Sequence, residues 1–381
     1  MNRVFRIGPI RPPSEADSLL LQVTNGCTWN KCKFCQLYKH TKFKAYSADS
    51  IKADIDNMVY YADRVDIYSK GDGSWDIDGL NKELAYLPDE DERQCFYMIA
   101  SWLIGGGENV FLQDGNTTAL SSGRLSDVLI YLRQAFPSIK RITSYGRAEN
   151  LARVTAEEFA ELKEAGLDRI HSGFESGSDE VLKIINKGVT AEQEIKAGRN
   201  VKAGGIELSV YFMPGVGGRE LTEKNALGTA RVINEINPDF LRIRTFAAKR
   251  GTGLYEDFVD GRFTLCSDDE KVLEIRRLIE EAKGIDTMLV SDHIINLLQD
   301  VEGSLKFDKE KMFRIIDDYL SMEEGEKRLY QAARRMARLS RPEDLKCLDS
   351  TSRDKLKRLA ASTPDPYKWE VKMNELISRY I

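Results

Sequence analysis

Histidine is scarce. His40, His171 and His293 are the whole supply in 381 residues. A closed structural zinc site needs four nitrogen or sulfur ligands, usually as two close pairs. No second Cys-x-x-Cys and no paired histidines occur in this chain. Cysteine is sparse too, with six residues, of which Cys95, Cys266 and Cys347 stand alone. A secreted disulfide scaffold is denser and shorter, so the chain reads as a protein of a reducing, cytoplasmic setting. No apolar run reaches the roughly 18 residues of a membrane helix. Met1 to Pro13 carries Arg3 and Arg6 without an apolar block behind them, which predicts no secretory signal. Basic runs are absent and the net charge is −5, so nucleic acid is not indicated as a partner.

What remains is ordinary globular material, 42% hydrophobic and 31% charged. Short apolar runs alternate with helical periodicity at intervals of about thirty residues. Strands are expected near residues 20, 111, 142, 171, 209 and 243. Between them, Thr155 with Glu158 predicts a capping box, and Gly166 and Gly204-Gly205 predict helix ends. This rhythm predicts βαβ units and a parallel sheet. Six strands are too few for a closed eight-stranded barrel. The pattern alone leaves a partial barrel and a doubly wound sheet both open. Beyond Ser267 the alternation stops and helices are expected to the end.

The remaining three cysteines crowd one loop just after the first strand: Cys27-Thr-Trp-Asn-Lys-Cys32-Lys-Phe-Cys35. Three thiolates cannot pair off, but all three can face one metal centre. A four-iron cluster with three protein ligands leaves one iron open, and an open position marks a catalytic metal. From the residues alone, two other readings stand beside it. One is a redox or sensor iron–sulfur protein with a fourth ligand such as His40. The other is a zinc-bound interaction module.

The loop, its place after the first strand, and the aromatic Phe34 before the last cysteine resemble the radical S-adenosylmethionine (SAM) superfamily. Gly173-Phe174-Glu175-Ser176-Gly177 followed by Asn186-Lys187-Gly188 is similar to its coproporphyrinogen-oxidase-like and elongator-like branch. The resemblance covers about residues 15 to 250. Four residues lie between the first two cysteines where the family most often has three, an extension a loop accommodates easily.

The resemblance implies a [4Fe-4S] cluster on Cys27, Cys32 and Cys35. It further implies SAM on the open iron, cleaved reductively to a 5′-deoxyadenosyl radical that takes hydrogen from an unidentified organic substrate. An electron donor such as flavodoxin or ferredoxin would supply the reductant. Site residues follow by strand end. Asp114, after the second strand, stands where the methionine amino group is held, although Asp-Gly is also a common turn. Gly106-Gly107-Glu108 matches the family's motif literally but precedes the strand, and reads as a turn. Glu175 and Ser176 stand where the ribose hydroxyls bind, a carboxylate being a good acceptor for a diol. Arg199 stands where a basic residue can reach the methionine carboxylate, or else on a solvated helix face, and Val216, in Met213-Pro-Gly-Val-Gly-Gly218, near the adenine. Phe34 and Trp29 would pack on the cofactor or fill core space. Arg147, Arg242 and Arg244 suit an anionic substrate, or else are ion-paired.

The expected fold is α/β: a partial (β/α)6 TIM-like barrel with a helical C-terminal region. Its expected divisions are a segment over 1–14, a core over 15–250 and helices over 251–381, the last capping the barrel's open side. Neither an auxiliary cluster nor a cobalamin domain is expected.

Overall fold

The structure is a computed structural model that describes residues 3–380. Eight strands form its main sheet. They are β1 (Leu19–Gln22), β2 (Asn109–Gln113), β3 (Arg141–Tyr145), β4 (Arg169–Glu175), β5 (Glu207–Phe212), β6 (Phe240–Ile243), β7 (Met288–Val290) and β8 (Gly303–Ser304). They lie in chain order from β1 to β8. A doubly wound sheet reverses its order at a switch point; this order never reverses, which leaves the barrel-type winding. The pairs β1–β2, β2–β3, β3–β4, β5–β6 and β6–β7 are parallel, and β8 runs antiparallel to β7.

Burial explains why the apolar runs are continuous. Leu19, Leu20 and Leu21 follow one another in β1, and all three are buried, as are Val110, Phe111 and Leu112 in β2. Neighbouring side chains on a strand point to opposite faces, so both faces of the sheet are covered. Each such side chain contributes roughly 1.5–3 kcal/mol on leaving water.

The six expected strands are all present. The expectation of helices alone after Ser267 is corrected by β7 and β8, short strands beyond the helix Asp268–Glu281. A helix over Ile77–Tyr86 also occupies a stretch with no readable period. Thr155 caps its helix with the expected box.

The chain divides into two compact units. The first takes the chain up to Thr28, then His40–His171 and Asn200–Glu207; the second takes Trp29–Lys39, Ser172–Arg199 and everything from Leu208 on. In the first, a short antiparallel ladder pairs Thr24–Asn25 with Lys44–Ala45 and sets the feet of the cysteine loop. In the second, the helices Thr222–Ile236 and Asp268–Glu281 pack together.

Candidate active site

None of the three clustered cysteines is in a disulfide; Cys32 is buried, and Cys27 and Cys35 are half-buried. The bystander thiols differ. Burial pushes Cys95 up to about 11 and Cys266 higher still, which keeps both protonated. Three thiols on one partly open loop are the donor set an iron–sulfur cluster takes, so these residues fit that group. Among the described residues, no three His, Cys, Asp or Glu side chains converge on one ion position. A cluster takes one thiolate per iron and asks for a wider spacing than a single ion does. His40 is exposed.

In the first unit, the end of β2 fixes the start of the loop. Asp114 is fully buried; its Oδ2 accepts from Gly26 N (3.3 Å), and its own N–H donates to Thr24 Oγ1 (3.2 Å). Two residues on, Asn116 is a hub. Its Nδ2 donates to Thr28 Oγ1 (3.0 Å) and Asn150 Oδ1 (2.8 Å). Its Oδ1 accepts from Thr118 Oγ1 (3.0 Å) and Arg147 N (3.1 Å). Arg147 Nη1 in turn lies 4.0 Å from Cys27 Sγ, a cation beside the first thiol of the loop. Asn116 was not singled out from the sequence. Its Asp-Gly-Asn context signals only a turn, and three of its four partners lie 31 to 88 residues away. Gly106-Gly107-Glu108 forms the turn between a helix ending at Ile104 and β2, as read.

In the second unit, the rest of the loop is clamped on both sides. Lys33 N donates to Ile185 O (2.8 Å), Leu254 N to Lys33 O (2.9 Å), and Lys33 Nζ pairs with Asp257 (2.7 Å). Trp29 Nε1 donates to Asn186 O (2.7 Å), and Asn186 Nδ2 to Lys31 O (3.1 Å). The Asn186-Lys187-Gly188 turn is therefore a brace for the cysteines. Glu175 ends β4 in the left-handed region (φ 69°) and folds its carboxylate back over Gly173. There it pairs with Lys187 Nζ at 3.0 Å, both groups being buried. Lys187 Nζ also sits 5.6 Å from the centre of the Phe34 ring. Ser176 is buried and caps the next turn, its Oγ accepting from Ser178 N (3.0 Å).

Glu194 lies on the helix Ala191–Ala203, is wholly buried, and neither of its oxygens has a hydrogen-bond partner. Burial pushes its carboxyl far above the usual range, against the pull of Lys187.

Val216 is buried in the glycine-rich turn after β5. Gly215, at φ 84°, donates to Glu274 Oε2 (3.0 Å), which locks that turn to the helix Asp268–Glu281. Arg199 is exposed and paired with Glu235. The structure thus joins Asp114 to the start of the cysteine loop, and Glu175 to Lys187 and Phe34. It does not join Arg199 to either group. Arg242 is ion-paired with Asp292 (2.7 Å).

Comparison with known proteins gives these observations a family. Residues 21–227 match the Radical SAM superfamily, more than half of the chain. A tRNA uridine(34) acetyltransferase from Methanocaldococcus infernus is 28% identical over 34% of this chain and 24% of its own length. The 4'-phospho-dehydrooxetanocin synthase of Priestia megaterium is 27% identical over 51% of this chain and 23% of its own. The chain therefore spans about a quarter of the curated relatives it matches. Among solved structures, the cobalamin-dependent radical enzyme OxsB aligns with 95% of this chain and 54% of its own, with 13% identity and TM-score 0.44. Methylornithine synthase (PylB) aligns with 81% and 83%, with 14% identity and TM-score 0.41. No helix among the described residues is long and apolar enough to cross a membrane. With the match spanning the end of β1, the cysteine loop and the whole of β2 to β5, this chain belongs to the radical SAM superfamily, enzymes that bind a [4Fe-4S] cluster and SAM and cleave SAM reductively.

Proposed function

We propose that the chain abstracts a hydrogen atom from an unactivated carbon of an organic substrate. The observation that carries this reading is the loop of three thiols outside any disulfide, braced on both sides, inside the matched residues 21–227. When bound, the cluster supplies one electron that splits SAM into methionine and a 5′-deoxyadenosyl radical. With that group bound, the C–H hydrogen would end on 5′-deoxyadenosine and the unpaired electron on the substrate carbon.

The protein's own part is to hold, orient and exclude water. Cys27, Cys32 and Cys35 are the ligands. Asp114 holds the loop's start through Gly26, which supports a positioning role beside the amino-group role. Glu175 has the chemistry to accept from the ribose hydroxyls, and would exchange its Lys187 partner to do so. Ser176, Val216 and Phe34 line the same strand ends by position. Arg199 has the least support, being exposed and already paired with Glu235. The relatives' names cover acetyl transfer to a tRNA uridine and an oxetanocin synthase. They share the radical core, not one substrate. The proposed divisions remain a segment over 1–14, a core over 15–250 and a C-terminal region over 251–381, in a cytoplasmic enzyme reduced by a flavodoxin or ferredoxin.

The test is anaerobic reconstitution, reduction with dithionite, and addition of SAM. 5′-Deoxyadenosine and methionine should form together, and Cys32→Ala should lose both products and its iron. An intact cluster that leaves SAM uncleaved would sink the proposal. So would full iron retention in Cys27→Ala, Cys32→Ala and Cys35→Ala, whereas Cys95→Ala should keep its iron.

A further inference from the structure

Two arginines leave the end of β6 two residues apart, so they share one face. Their surroundings differ sharply. Arg242 is 5% exposed and fully engaged: Nε donates to Ser209 Oγ (3.1 Å) and Nη1 to Asp292 Oδ2 (2.7 Å). Arg244 is half-buried, and its guanidinium has no hydrogen bond or ion pair to any protein group among the described residues. Its backbone is nonetheless fixed, with N donating to Phe212 O (2.9 Å).

The strand β7 is the parallel neighbour of β6, with Arg242 opposite Val290, so the loop after β7 leaves the sheet next to Arg244. His293 is half-buried there, and its Nδ1 accepts from Ile295 N (3.3 Å). A neutral imidazole that accepts at Nδ1 carries its proton on Nε2. Burial, and then the Arg244 cation, push His293 down to about 4. At neutral pH it is a donor without charge. The neighbouring acid, Asp292, is already taken by Arg242.

The loop is also built to stay in place. Asn296 Oδ1 accepts from both N and Oγ1 of Thr245 (3.0 Å each). Its Nδ2 donates to Ile243 O (2.8 Å). Arg334 Nη2 donates to Ile294 O (2.8 Å), and Tyr330 Oη to Leu297 O (2.7 Å). Two donors, one of them a planar cation, are thus carried on fixed backbone just past the C-terminal ends of the neighbouring parallel strands β6 and β7, with no acceptor for them among the described residues. Strand C-termini are where α/β enzymes bind their ligands, and an arginine fork matches carboxylate or phosphate oxygens two at a time.

We propose that Arg244 and His293 form a binding site for an anionic group, a carboxylate or a phosphate, on the enzyme's substrate. Calling that group the substrate's rests on the radical SAM reading; the anion site itself does not. The full chain is titrated with inorganic phosphate, and separately with acetate, while the histidine ring signals are followed by NMR. With only three histidines in the chain, the exposed His40 and the buried His171 serve as references. Phosphate, acetate or both should shift His293 and raise its pKa. The stronger probe distinguishes a phosphoryl from a carboxyl substrate. Arg244→Gln should weaken binding roughly tenfold or more, Arg244→Lys less, and Arg231→Gln on a distant helix not at all.

No shift of His293 with either probe overturns the proposal. So does binding that survives Arg244→Gln undiminished. In the reconstituted holoenzyme, SAM and the anion should bind together. Mutual exclusion would assign Arg244 to the cofactor's carboxylate and overturn the substrate reading. Failure to cleave SAM at all would remove the radical reading while leaving the titration result standing.

Discussion

Glu274 is 3% exposed, and its oxygens accept from Gly215 N (3.0 Å) and from Asn225 Nδ2. Burial pushes its carboxyl from the ordinary 4.5 up to about 8, although both hydrogen bonds and Lys271 pull it down. Between those values the unfolded chain has released a proton that the folded chain keeps. The folded state binds more protons, so stability falls as pH rises through this window and the contribution is gone above about pH 8. Glu194, shifted in the same direction, adds to the slope. Urea unfolding of the wild type should therefore show a lower midpoint at about pH 8 than at about pH 6. Glu274→Gln has nothing to ionise; its amide can still accept from Gly215, and it can donate to Asn225 Oδ1, which has no partner in the wild type. The variant should flatten the pH dependence. An unchanged slope would mean that Glu274 is ionised in the fold.

At the scale of elements, the brace on the cysteine loop depends on one glycine. Gly188 sits at φ 71°, and a Cβ there would come within 2.5 Å of the Trp29 ring. The ring cannot simply turn away, because Nε1 is held by Asn186 O. Gly188→Ala combines left-handed strain with overpacking, expected to cost about 1–3 kcal/mol. It should lower both the melting temperature and the iron bound per chain after reconstitution. Lower stability with full iron occupancy would detach the turn from the cluster loop.

Such braces mark the limit of what could be read in the sequence. The cysteine loop was legible because three thiols fall within nine positions. β1 and β2 were legible because burial on both faces leaves unbroken apolar runs, and β3 to β6 because short apolar stretches recur between helical segments at about thirty-residue intervals. β7 and β8 were not: Met288–Val290 and Gly303–Ser304 are too short to show a period and are strands through their pairing with neighbours. Lys187 was quoted only as part of a turn, yet it pairs with Glu175, twelve residues before it. Asn116 and His293 escaped for a related reason, since one polar residue in a loop shows nothing of the distant groups it meets.

At the scale of the whole chain, the sheet runs on past residue 250 through β7 and β8, and so does the packing. The second unit runs on from Leu208 through the C-terminal helices. Asn374 binds the backbone just past β6 twice, Oδ1 accepting from Ala248 N (2.8 Å) and Nδ2 donating to Ala248 O (2.9 Å). Deeper in, Arg335 pairs with Asp268 (2.6 Å), their side chains 2% and 3% exposed. Burial pushes the Asp268 carboxyl up, yet Arg335 and Lys271 outweigh it and hold it below the usual range. Arg335 also donates to Ile295 O, in the loop that carries His293. A buried pair of this kind is worth little against a well-packed apolar replacement, but removing one partner strands the other charge. Arg335→Ala should therefore cost about 3–5 kcal/mol, seen as a large drop in urea midpoint. The double variant Arg335→Met with Asp268→Leu should recover part of that loss, because the two paired charges leave together, although Lys271 loses Asp268 as its partner (3.7 Å). It would not restore the hydrogen bond to Ile295. If Arg335 acts on the His293 loop, the double variant should stay folded and still bind phosphate more weakly than the wild type. Full recovery of both stability and phosphate binding would reduce Arg335 to a partner for Asp268 alone.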